Sequence, residues 1–127
     1  MKTRILLLLF SRYFWFHNIN KLFMELSVDT GSIITQEKAK TLIKAFESKF
    51  PEEVTSSFIG KNNVKNILNQ ENCIGIRIYN GYDSVKEKIS LVLVGVDEDE
   101  KELLDNNIIY DEMSTCPSMC PKDGLTM

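Results

Sequence analysis

The chain has 127 residues, 43% hydrophobic and 26% charged, the composition of an ordinary globular protein with room for one domain and a modest core. The net charge of −3 is unevenly spread. Four of the 15 basic residues and no acidic ones fall in 1–23, leaving 11 basic and all 18 acidic residues, a net charge of −7, in 24–127. An acidic body argues against general nucleic-acid binding, which needs Lys and Arg to displace counterions from phosphates.

Residues 1–23 differ from the rest. They hold six of the twelve aromatics, the only Trp (Trp15) and the only His (His17). As a signal peptide, Lys2 and Arg4 would form the basic region and Ile5–Phe10 the apolar region. That run is short, is stopped by Arg12, and is followed by no small-residue cleavage site. It is also shorter than the roughly 20 apolar residues that span a bilayer. A basic, aromatic interfacial anchor lacks clean helical periodicity. These failures favour translation from Met24 and a cytoplasmic protein; a real signal would make it secreted or membrane-associated. A start at Met24 leaves no histidine for a triad, a general base or a metal site.

Thr35 can cap a helix. Ala39, Leu42, Ile43, Phe46 and Phe50 then follow at helical spacing, with mostly charged residues opposite. Pro51 pushes its predecessor out of the helical region, so the pattern predicts a helix over 36–49. Residues 52–62 are mixed: Val54, Phe58 and Ile59 suit a short helix or an extended stretch. Asn62 or Asn63 can cap a second helix with Val64, Ile67 and Leu68 on one face.

Ile74, Ile76 and Ile78 alternate with Gly75, Arg77 and Tyr79, the period of a half-buried strand. Ile89–Val96 is almost continuously apolar, as in a strand buried on both faces. Residues 83–87 suit the turn of a hairpin. Asn80-Gly81 is a competing turn signal, and a β-bulge at Gly81 would reconcile the two. Asp97–Glu102 reads as an acidic turn, and Ile108, Ile109 and Tyr110 as a third, short strand. Residues 114–127, with Pro117, Pro121 and Gly124, read as an irregular tail. The expected organisation is a leader over 1–23, a domain over 24–113 and a tail over 114–127. The expected fold is α+β, a small antiparallel sheet with two helices packed on one face.

Cys116 and Cys120 stand in Cys-Pro-Ser-Met-Cys-Pro, with Cys73 far upstream. Their spacing suits a metal clip, yet three cysteines without histidine fall one ligand short of a structural zinc site. A disulfide between them is sterically feasible and would be disfavoured in a reducing cytosol. Cys73, opening a strand, reads as a small core hydrophobe. The remaining reading is two ordinary thiols on a tail.

Asp97-Glu98-Asp99-Glu100 suggests calcium, but Lys101, Glu102 and Ile108 occupy positions where an EF-hand needs an oxygen ligand, glycine and glutamate. A solvated turn is the better reading. Arg77 can bind an anion or pair with a cross-strand carboxylate. Tyr79 and Tyr82 suit a ligand-stacking pair or rim packing. Glu52-Glu53 lies in no pattern that selects an acid–base group. The nucleotide, zincin and serine-nucleophile templates are all missing, which points away from an enzyme.

Ser57-Phe-Ile-Gly60, Cys73-Ile-Gly-Ile-Arg-Ile-Tyr-Asn-Gly-Tyr-Asp83, Ser90-Leu-Val-Leu-Val-Gly-Val-Asp97 and the closing Cys116–Cys120 segment resemble a family of small uncharacterised bacterial proteins. The resemblance runs from about Met24 to Cys120. It implies an N-terminal helix, a hairpin and a proline-flanked cysteine pair, has no counterpart for 1–23, and implies no activity or cofactor. The expectation for function is a non-enzymatic protein that binds a protein partner or itself, through a sheet edge left open. The alternative is a thiol-redox or metal-binding protein using Cys116 and Cys120, with Cys73 as a further candidate.

Overall fold

The computed structural model describes residues 25–126. The leader, its signal or start-site readings and His17 lie outside them. In order, the elements are α1 (Gln36–Lys49), β1 (Ser56–Phe58), α2 (Lys61–Leu68), β2 (Cys73–Asp83), β3 (Lys88–Asp97), β4 (Ile109–Tyr110) and β5 (Ser114–Cys116). The fold is α+β: an antiparallel three-stranded sheet in the order β2-β3-β4, and a two-stranded ladder of β1 with β5.

α1 forms as the sequence predicts. The Thr35 hydroxyl accepts from the Lys38 N–H at 3.1 Å, and the helix ends at Phe50, whose N–H reaches the Phe46 carbonyl. α2 starts differently. Its N-cap is Gly60, with no side-chain cap bond, so neither Asn62 nor Asn63 serves. Its apolar face carries Ile67, which is 0% exposed and is the largest fully buried side chain described.

Within the β2–β3 hairpin the register runs unbroken from Asp83↔Lys88 to Gly75↔Val96. Side chains alternate between faces. One face carries Ile76, Ile78, Asn80 and Tyr82 with Gly95, Leu93, Leu91 and Ile89 opposite them; the other carries Arg77 and Tyr79 with Val94 and Val92. Both helices lie on the first face. Phe46 of α1 flanks a shallow cavity with Asn80, Ile89 and Leu91. Gln70, just after α2, lies against Gly95, and Asn66 donates to the Tyr110 hydroxyl at 3.1 Å.

The expected bulge at Gly81 is not there. Gly81 pairs regularly with Ser90, and the register shifts instead between Cys73 and Gly75. Gly81 meets a steric demand: a Cβ there would lie 2.5 Å from the Ser90 carbonyl oxygen. The chain reverses over 84–87. The Asp83 carboxylate accepts from the N–H groups of Val85 and Lys86, and Glu87 takes a left-handed conformation with φ 53°. Asn80-Gly81 therefore stays inside the strand.

β3 is central and buried on both faces, through Leu93 on one side and Val94 and Val96 on the other. The stretch expected as an irregular tail from 114 begins as a strand. Ser114–Cys116 pairs with Ser56–Phe58, so a boundary at 113 would cut through a ladder. The short run Val54–Ile59 could not announce this partner, because β1 gains its pairing from residues nearly 60 positions away.

Candidate interaction surface

β2 is an edge strand of 11 residues. Two hydrogen bonds fix which of its backbone groups face outward. The Ile89 N–H donates to Glu53 Oε1 at 3.0 Å, and the Gly95 carbonyl accepts from the Leu103 N–H at 2.8 Å. Both residues thus turn their backbone polar groups away from β2. In an antiparallel ladder these directions alternate. Their cross-strand partners Tyr82 and Ile76, with Ile78 and Asn80 between them, therefore point N–H and C=O away from β3. No backbone hydrogen bond reaches these outward groups among the described residues.

The side chains along this edge are apolar and open. Ile78 is 59% exposed and Tyr82 62% exposed, on the face that carries the helices. Tyr79 is exposed on the opposite face. A stacking pair of Tyr79 and Tyr82 is thereby ruled out, because three residues along a strand reverse the side. The sequence period alone carried that signal.

Arg77 has a carboxylate partner from an unexpected place. Its Nη1 lies 3.4 Å from Glu102 Oε1. Glu102 forms an isolated bridge with Val96, beyond the acidic turn, and is not cross-strand to Arg77 in β3. The Tyr79 hydroxyl donates to the same Glu102 oxygen, and that hydrogen bond to a carboxylate holds its pKa above the usual phenol range. Arg77 is thus not a free anion site.

The acidic run folds as a turn. Asp97 Oδ1 accepts from the N–H groups of Asp99 and Lys101, and Glu100 Oε1 accepts from the Leu26 N–H. Among the described residues, Glu53 of the Glu52-Glu53 pair is the one with hydrogen-bond partners. Hydrogen bonds from Ile89 and then Val54 lower its pKa. Its part is to satisfy a strand N–H on the side of β3 away from β2, a tertiary role that adjacent glutamates do not reveal.

Cys116 and Cys120 are joined as a disulfide, with Cα atoms 4.6 Å apart. Cys120 opens on a cavity of about 520 Å³ beside Phe58, Met119 and Pro121. Cys73 is elsewhere: half-buried, its thiol faces the Gly75 carbonyl and lies where a Cβ on Gly95 would meet it at 3.2 Å. The three thiols are not brought together. Among the described residues no three His, Cys, Asp or Glu side chains are grouped to hold a metal ion, and no helix is long and apolar enough to cross a membrane.

In comparisons with known proteins, the chain matches no family model, no curated protein and no solved structure.

Proposed function

We propose that this protein acts by binding another protein chain, which adds a strand to the outer edge of β2. The observation behind this reading is the row of outward backbone groups at Ile76, Ile78, Asn80 and Tyr82, flanked by exposed Ile78 and Tyr82. An edge strand supplies main-chain hydrogen bonds for affinity and alternate side chains for selectivity. Natural edges are commonly blunted by lysine, proline or shortness. β2 has neither residue and is long.

Proline at position 78 tests it. The Ile78 N–H faces away from β3, so Ile78→Pro removes no ladder bond yet blocks an added strand. Complexes formed by the full chain should protect the amides of Ile76, Ile78, Asn80 and Tyr82 from hydrogen exchange and should be lost in Ile78→Pro. Complexes that persist unchanged in that variant would overturn the reading.

The disulfide supports a second reading, a thiol-redox protein in which Cys120 meets a partner at the cavity beside Phe58 and Met119. Metal binding by the same pair would require both sulfurs as thiolates, with further ligands from another chain. Replacing both cysteines by serine should abolish a redox response or metal uptake; no change in either sinks this alternative.

A further inference from the structure

We propose that the chain added to β2 is a second copy of this protein, paired antiparallel about a two-fold axis at Asn80. This deepens the edge-strand reading and rests on it.

The edge is complementary to itself in this register. Arg77 lies opposite the partner's Asp83; its guanidinium is held through Nη1 by Glu102 of its own chain and offers its remaining N–H groups to the partner's carboxylate, once on each side of the axis. Ile78 lies opposite the partner's Tyr82, joining the exposed apolar side chains of the helix-bearing face. An axis at Ile78 would set Arg77 against Tyr79. An axis at Tyr79 would set it against Gly81, and one at Gly81 against Val85. Of these four axes, the one at Asn80 alone sets Arg77 against a carboxylate.

Backbone phase agrees. Ile78, Asn80 and Tyr82 all present outward N–H and C=O groups, and this axis pairs Ile78 with Tyr82 and Asn80 with itself. About six main-chain hydrogen bonds result, joining two three-stranded sheets into one. Arg77 and Asp83 then form a non-hydrogen-bonded pair, in which side chains approach most closely. Asp83 uses Oδ1 for its own turn, which leaves Oδ2 for the guanidinium.

The test is sedimentation of the full chain across a concentration series, with three variants. The wild type should dimerise. Asn80→Cys should cross-link to its own copy, since residues on the axis have Cα atoms about 5.5 Å apart, whereas the wild type should not. Ile78→Pro should weaken the dimer roughly a hundredfold through lost edge hydrogen bonds. Asp83→Asn keeps the turn acceptor, loses the charge, and should weaken the dimer about three- to tenfold over two pairs, less at high salt. If Ile78→Pro fails to fold, Asn80→Cys and Asp83→Asn decide. A dimer indifferent to Asp83→Asn, or Asn80→Cys without cross-linking, overturns the proposal. So does a monomer at every concentration. A monomer that loses other partners on Ile78→Pro overturns self-pairing alone and leaves the edge-strand reading standing. A monomer with protected amides at Ile78 and Asn80 overturns both.

Discussion

Glu53 Oε1 accepts the Ile89 N–H at 3.0 Å, and so ties the loop after α1 to the start of β3. The same oxygen accepts from Val54. The bond occupies a main-chain donor on the side of β3 turned away from β2, and thereby fixes the phase of the whole hairpin.

A pH dependence follows from it. The Ile89 hydrogen bond, then that of Val54, lowers the Glu53 pKa. A depressed carboxylate stabilises the fold above its unfolded pKa of about 4.3 and loses that contribution as pH falls through the folded value. Asp83, held down first by the Lys86 N–H, acts in the same direction. Denaturant midpoints should fall as pH drops from about 5 to 2. Glu53→Gln should make that fall shallower, and an unchanged acid limb would refute the assignment.

Ile67 is the side chain whose loss should cost most. Ile67→Ala leaves a cavity beneath α2 and should destabilise by about 2–5 kcal/mol, against about 0.5–1.5 kcal/mol for Ile67→Val. Equilibrium urea unfolding separates the two. A loss under about 1 kcal/mol for alanine would mean that the site collapses around it.

Gly81→Ala and Gly75→Ala should differ sharply. The first drives a methyl to 2.5 Å from the Ser90 carbonyl oxygen, whereas the second meets nothing within 4 Å. We expect Gly81→Ala to cost about 1–3 kcal/mol and Gly75→Ala well under 1 kcal/mol. Equal thermal shifts would contradict the close approach of β3 at Gly81.

Thr35→Ala should lower stability by about 1 kcal/mol through loss of the N-cap bond to Lys38. No residue of α1 is fully buried, so the loss should appear as local fraying. Faster amide exchange confined to the first turn of α1 is the expected signature; exchange raised throughout β3 would mean that α1 and the sheet unfold together.

Reduction of Cys116–Cys120 should loosen the β1–β5 ladder and spare the main sheet. The Thr55 N–H donates to the Cys116 carbonyl and the Met119 N–H to that of Thr115. These amides should exchange faster in reductant, while those of β3 keep their protection. Uniform protection before and after reduction would show that the disulfide adds no local order.

Much of this molecule is legible in its sequence where the signal is local. The run from Ala39 to Phe50 repeats with the helical period and is framed by Thr35 and Pro51, so α1 needs no tertiary information. Alternating isoleucines from Ile74 and the apolar run to Val96 identify the hairpin, because a strand period of two maps directly onto its two faces. Asp83 and the polar residues after it override Asn80-Gly81. An Asx acceptor at the turn satisfies two N–H groups at once, while a reversal at Gly81 would break the register of the buried Leu93.

The sequence by itself determined the α+β class, the helix from 36 to 49 and the hairpin, because each depends on periodicity and on chain neighbours; the choice between the two turn signals needed the register of β3. Only the tertiary structure decided that Glu53 serves Ile89, that Glu102 serves Arg77 and Tyr79, and that β1 pairs with β5. It also decided that β3 lies at the centre and β2 at the edge. Those outcomes depend on contacts between residues from 15 to 60 positions apart, where pairing is chosen by which backbone groups and apolar faces remain unsatisfied once the local elements have formed.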